Sequence, residues 1–261
     1  MPEMPQDPVK ECRSAALLEP AALIAWPARE RIALDGWVMR FSDGFTHRGN
    51  SVATSEFNGS NLKAAIARVE HEYRARDLAP MFQVAAHVAP PALAETLIAL
   101  GYEVISPTFV RVTKPERACG LLPEPGNVAV EQRASESFAQ LVLSGSRSEG
   151  DGRERLDILS RIAAPVTCVT AFANGRAVSC GMGVNVDGKV GVNLMRTDAA
   201  FRRQGHAQRV LSAIARWAQQ QRADTMYLGV EMANTQAVML YERAGFEPAY
   251  SYRYFAKGRH S

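Results

Sequence analysis

The chain has 261 residues, 47% of them hydrophobic, and a formal net charge of +3. That length suits one large domain or two small ones with real cores, and so small a charge makes no case for nucleic acid. No stretch reaches the roughly 18 consecutive apolar residues of a membrane-spanning helix.

Residues 1–18 begin Met1-Pro2-Glu3-Met4-Pro5-Gln6-Asp7-Pro8, a polar, Pro-rich start without the basic and apolar regions of a signal peptide. They are expected to be a flexible leader. Leu34–Phe41 and Arg48–Thr54 are strand-like, with Asp43-Gly44 between them. Residues 61–76 carry Leu62, Ile66, Val69 and Tyr73 on one helical stripe. Met81–Val88 reads as a strand. Pro90-Pro91 opens a helix, Ala92–Leu100, because proline is tolerated in a first turn. Gly101-Tyr102 closes that helix, and Glu103–Thr113 is a strand. Residues 115–127, with three prolines and two glycines, read as a linker.

The second half is more regular. Ser135–Ser144 and Arg153–Ile162 read as helices, separated by a Gly-rich polar loop. Strand-like runs follow at Val166–Ala173, Ala177–Val186 and Lys189–Thr197. Asn174-Gly175 and Asp187-Gly188, dipeptides that accept positive φ, join them as tight hairpins. Beyond comes Arg202-Arg203-Gln204-Gly205-His206-Ala207, then a helix with Ala207, Val210, Leu211, Ile214 and Ala218 on one face. A strand Thr225–Glu231, a short helix Thr235–Ala244 and a strand Ala249–Lys257 complete the chain. Tyr250, Tyr252 and Tyr254 share one face of the last strand, where core packing or sheet cover is expected.

A strand that feeds a glycine turn and then a helix is an anion site. The first-turn N–H groups have no intrahelical partner, and the helix dipole favours negative charge there. Gly205 and Ala207 leave room for a phosphate, and Arg202 and Arg203 add positive charge. The charge is uneven in the same sense. Residues 1–126 hold 13 Lys and Arg against 15 Asp and Glu, and residues 127–261 hold 17 against 12. Cys12, Cys119, Cys168 and Cys180 form no C-x-x-C pair. No metal site or disulfide scaffold is expected, the last two are read as buried thiols, and a reducing cytoplasm is the expected compartment.

Arg-x-x-Gly-x-Ala after a strand resembles the pyrophosphate loop of the GNAT N-acetyltransferase superfamily. Asn234-x-x-Ala237-x-x-Leu240-Tyr241-x-x-x-Gly245-Phe246 resembles a second signature of that family, about thirty residues further on. The likeness is strong over residues 165–257. The first half repeats the order strand, helix, strand, helix, Gly-aromatic, strand, with Leu100-Gly101-Tyr102 where the second half has Ala244-Gly245-Phe246. Its Ala53–Asn61 segment lacks the loop pattern and carries Glu56, which would repel phosphate. Trp26-Pro27, Asp35-Gly36-Trp37 and Arg48-Gly49-Asn50-Ser51-Val52 resemble, more loosely, segments of tandem bacterial members. The expected fold is a mixed-sheet α/β protein of two GNAT-like lobes: a degenerate one over 19–114 and a complete one over 128–261.

The resemblance implies acetyl-CoA as acyl donor, no metal, and a small-molecule amine or a peptide amino group as acceptor, in a monomer or homodimer. It places the donor's pyrophosphate on the amides of Arg203, Gln204, Gly205, His206 and Ala207, next to Arg202. It places the pantetheine arm along Met195, Arg196 and Thr197, with Asn234 close by, and lets Tyr241 protonate the departing sulfur. Glu231 is the candidate base, and Glu149 a candidate acceptor contact. His47, His71 and His87 are expected to be structural or exposed. The competing reading is a non-catalytic acyl-CoA-binding sensor or partner protein. Acyl-chain length stays open.

Overall fold

The computed structural model describes residues 8–85 and 88–257. In the first half the elements are α1 (Pro8–Ala25), β1 (Glu30–Leu34), β2 (Trp37–Phe41), β3 (Val52–Ala53), α2 (Leu62–Arg74), β4 (Met81–Val84), α3 (Leu93–Ala99) and β5 (Glu103–Thr113). Then follow α4 (Pro115–Leu121), β6 (Val128–Glu131), α5 (Glu136–Ser144), α6 (Glu149–Ser160), β7 (Val166–Ala173) and β8 (Arg176–Val186). The last are β9 (Lys189–Thr197), α7 (His206–Gln220), β10 (Thr225–Glu231), α8 (Thr235–Arg243) and β11 (Glu247–Ala256). Among the described residues no helix is long and apolar enough to cross a membrane.

All the strands join one mixed sheet, ordered β1-β2-β3-β4-β11-β5-β10-β9-β8-β7-β6. Tight turns set both of its flanks. Asn174-Gly175 and Asp187-Gly188 take positive φ and close the β7–β8 and β8–β9 hairpins. In the middle the two halves exchange strands. β5 lies antiparallel to β10, with Leu228 opposite Arg111, and β11 lies antiparallel to both β5 and β4.

Each face carries its own layer. On one, Ala15, Leu18 and Ala21 of α1 pack with Phe138 and Val142 of α5, Ile158 of α6 and the stripe Tyr250, Tyr252 and Tyr254. On the other, Val210, Leu211 and Ile214 of α7 pack over Val190 and Val192. Each such fully buried aliphatic side chain contributes about 1.5–3 kcal/mol. Gly183 makes room for α7, since a Cβ there would sit 2.9 Å from Ile214 Cγ2. Trp37, Phe82, Tyr73 and Leu97 form a third core under α2 and α3.

Several expectations are corrected. Residues 8–18, read as leader, begin α1, because Ala15 and Leu18 find the sheet to bury against. Residues 1–7 lie outside the described residues. The Asp35-Gly36 turn splits Leu34–Phe41, and residues 30–41 form the β1–β2 hairpin. Arg48–Thr54 gives a 3-10 turn at Arg48–Asn50 and only two strand residues. The linker begins as helix α4, since Pro115 suits a first turn. The end of the polar loop before residue 153 belongs to α6, which starts at Glu149 because Ser148 caps it. β6 was not expected at all.

The halves meet through buried polar groups. Glu154 of α6, fully buried, accepts from Phe45 N at 2.9 Å, Thr46 N at 2.9 Å, Asn50 Nδ2 at 3.0 Å and Thr46 Oγ1. Arg48 donates to Asn193 Oδ1 of β9 at 2.8 Å, and its guanidinium lies 5.1 Å from the centre of the Trp26 ring. Arg40 ties Ser51 to Gln83. Glu19 of α1 accepts from Tyr250 Oη at 2.7 Å, and burial holds its carboxyl above the usual range.

Candidate active site

β9 and β10 are paired in parallel only at Lys189, Val190 and Gly191. Past Gly191 they part, and the β9 edge that faced β10 has no partner strand. β9 bulges there: Leu194 takes φ 53°, and its register against β8 shifts between Cys180 and Met182. The main-chain groups of Met195, Arg196 and Thr197 therefore border an open wedge.

The loop after β9 turns through Arg203 at φ 63° and Gly205 at φ 82°. Gly205 caps α7 with no side-chain hydrogen bond, and Arg209 N is the first amide to find a helical carbonyl, that of Gly205 at 3.1 Å. The amides of His206, Ala207 and Gln208 are left open at a helix N-terminus. They face a cleft of about 570 Å³ between α7 and α8.

Ten of the predicted site residues line this cleft: Met195, Arg196, Thr197, Arg202, Arg203, Gly205, His206, Ala207, Asn234 and Tyr241. Gln204 does not; its side chain turns back to Ala200 O at 3.2 Å. Glu231 stands outside the cleft, exposed at the end of β10 opposite Thr108. Phe201, Gln236, Leu240 and Arg243 are among the further wall residues, which were not anticipated as site residues. The last three share one stripe of α8 by their four- and three-residue spacing, a signal that was present in the sequence.

Tyr241 is 7% exposed, edge-on to Phe246 with ring centres 5.8 Å apart. Burial pushes its phenol up to about 12, with the Arg196 charge pulling the other way. The phenol thus keeps its proton at any ordinary pH. Asn234 caps α8 by accepting from Ala237 N at 3.2 Å and lines the cleft as well. Arg196 donates to Met195 O at 3.1 Å, while its Nε is buried without a partner. His206 is buried beside Phe201, and desolvation followed by the Arg209 charge holds its imidazole below the usual range.

Beyond the cleft, the other histidines and Glu149 fall as follows. His47 is half-buried, edge-on to Tyr254 at 5.2 Å. Burial and then Arg147 hold its pKa below the ordinary value, with Glu231 opposing them. His71 is exposed on α2, and His87 lies outside the described residues. Glu149 is exposed and pairs with Arg153 one turn on. Cys168 and Cys180 are buried free thiols.

The profile of the family described as "Probable histone acetyltransferase Rv0428c C-terminal" matches residues 13–255. The uncharacterized N-acetyltransferase YobR of Bacillus subtilis is 24% identical over 246 residues, 92% of this chain and 97% of that protein. A GCN5-related N-acetyltransferase of Kribbella flavida superposes with a TM-score of 0.69 at 18% identity, covering 97% of both chains. A tandem GNAT protein from the clavulanic acid biosynthesis pathway gives 0.62 at 10% identity, covering 97% of this chain and 95% of that one. With the parted strands and the glycine-capped helix, these likenesses identify the chain as a member of the Rv0428c C-terminal acetyltransferase family, within the GNAT superfamily.

Proposed function

We propose that the protein is an acetyl-CoA-dependent N-acetyltransferase that moves an acetyl group to a primary amine by direct attack. The observation that carries this reading is the open first turn of α7, set beside the partnerless edge of β9 in one cleft. Exposed amides, a glycine cap that no side chain closes, and two flanking arginines suit a diphosphate. The free β9 edge suits an extended amide-bearing arm, which would add to the sheet as a strand does.

When bound, acetyl-CoA supplies an activated acetyl carbon. The amides of His206, Ala207 and Gln208 hold its diphosphate, and main-chain N–H groups at 195–197 polarise the thioester oxygen. Asn234 positions the arm. The Tyr241 phenol gives its proton to the sulfur as the carbon–sulfur bond breaks and the carbon–nitrogen bond forms. It regains a proton from the acylated nitrogen. No covalent enzyme intermediate is needed, since orientation supplies much of the rate.

We also read the chain as two GNAT-like lobes, the first without a donor site. The matching helix ends at Gly101 and Gly245 support that reading. The test is calorimetry with CoA, followed by thiol release from acetyl-CoA with a panel of amines. Binding with turnover that Tyr241→Phe abolishes supports the enzyme. Binding with no turnover favours the acyl-CoA sensor. No binding defeats both.

A further inference from the structure

Around the C-terminal end of β10, three parts of the chain converge. The first half sends the loop between β2 and β3, pinned by Glu154 and by the Arg48–Asn193 bond, so that His47 stands over Tyr254. β10 ends in Glu231, and Thr108 of β5 lies between Glu231 and Tyr252 of β11. The turn before α6 brings Arg147, whose amide donates to Asp151 Oδ2 at 3.1 Å. All these charges reach His47: Arg147, Glu231, Arg155 and Asp151 set its electrostatic surroundings.

The pairing pattern leaves one kind of charge over. On α6 every acid except Glu154 takes the arginine one turn further on: Glu149 with Arg153, Asp151 with Arg155, Asp157 with Arg161. Among the described residues Arg147 makes no ion pair, its charge acting only at a distance on Asp151, and it is exposed. Arg196 has none either, and its Nε is buried and unpartnered. Among the described residues Glu231 makes no ion pair, and it is exposed. Arg155 is paired with Asp151 and Glu154 is taken up by the amides of Phe45 and Thr46, so the charges left over are Arg147 and Arg196 against Glu231. A polyamine or a lysine-rich tail would meet repulsion there. An amine that carries its own carboxylate would find both complements.

We propose that the acceptor is such a zwitterion, an amino-acid-like molecule whose carboxylate is held by Arg147 and whose ammonium group lies between His47 and Glu231. This rests on the acetyltransferase reading of the cleft. A guanidinium suits a carboxylate because its two parallel N–H donors match the two oxygens. The imidazole takes one proton from the ammonium group and so frees the nitrogen lone pair for attack; the proton then leaves to solvent. The first half of the chain thereby builds part of the site rather than only covering the sheet.

The test uses the full chain and matched amines. Thiol release from acetyl-CoA is measured with L-phenylalanine against phenethylamine, γ-aminobutyrate against butylamine, and spermidine and a lysine-rich peptide as cationic probes. CoA affinity is measured by calorimetry in parallel. The expected result is a preference of about tenfold or more in kcat/KM for at least one carboxylate-bearing partner. Arg147→Gln should erase that preference through KM and leave CoA affinity unchanged. His47→Gln should lower kcat and remove the acid limb of its pH profile. Preference for spermidine or the lysine peptide overturns the proposal, as does an Arg147→Gln enzyme with the preference intact. CoA binding with no carboxylate-bearing amine consumed also overturns it while the donor site stands. Absence of CoA binding defeats the donor site itself.

Discussion

The two halves of the chain end their last helices alike and begin their middle helices differently. α3 closes on Gly101 at φ 83°, with Tyr102 N bonded to Leu97 O at 3.0 Å; α8 closes on Gly245 at φ 82°, with Phe246 N bonded to Tyr241 O at 2.9 Å. By that register the second half has Tyr241 where the first has Leu97. The middle helices diverge. Asn61 caps α2 with its side chain, accepting from Ala64 N at 3.0 Å. Gly205 caps α7 and offers no such group. β3 also stays paired with β4, whereas β9 and β10 part. On the acetyltransferase reading, the bare cap and the opened strands are what set the N-terminus of α7 apart from that of α2.

The sharpest way to break this contrast is Gly205→Asp. The carboxylate would compete with a diphosphate for the same amides and lower CoA affinity about a hundredfold, read by calorimetry, while a side chain at φ 82° costs about 1 kcal/mol of stability. Wild-type affinity would mean that the cap is not what separates α7 from α2. Tyr241→Phe, which removes the hydroxyl that the first half lacks at Leu97, should cut kcat about a hundredfold and leave CoA affinity within about twofold. Because burial raises the phenol to about 12, its acid form persists as pH rises. The tyrosine-dependent rate should hold level from about pH 7 to 9, and a fall there would contradict its role as donor.

Stability measurements sharpen the rest. Glu154→Ala strands the amides of Phe45 and Thr46 and the side chain of Asn50 without their acceptor. It should cost about 2–4 kcal/mol in urea unfolding, most of it at the seam between the halves. The smallest effect separates the twin glycines. Both need positive φ, so alanine costs about 1 kcal/mol at either. A Cβ at Gly245 would meet Leu121 Cδ1 at 2.8 Å and Arg117 Nε at 3.0 Å, while at Gly101 nothing lies within 4 Å. Gly245→Ala should therefore lower the melting temperature more than Gly101→Ala.

The donor cleft was legible because it is local. The glycine turn, the amphipathic α7 and the Asn234-to-Phe246 run lie close together in sequence, and each carries its own backbone signal. The proposed acceptor end was not. His47 comes under the charge of Glu231 through strand exchange and the Glu154 contacts, pairings between distant residues that no periodicity reports. α1 was missed for a related reason: its mean hydrophobic pattern is weak, and Ala15, Leu18 and Ala21 become core only against a sheet made by both halves. β3 was overestimated because Arg48–Ser51 has strand-like flanks, yet Asn50 spends its side chain on Glu154 and on the amides of Ser42 and Gly44.

The crossing of β5 and β11 has a bearing on how the chain comes off the ribosome. β4 gains its second neighbour only when residues 253–256 emerge, and β5 waits just as long on that side. Until then the newborn polypeptide presents two bare strand edges, the situation most prone to off-pathway association. Expressing residues 128–261 alone would expose the reciprocal edges of β10 and β11, so the catalytic segment is expected to need its other half as a covalent folding partner.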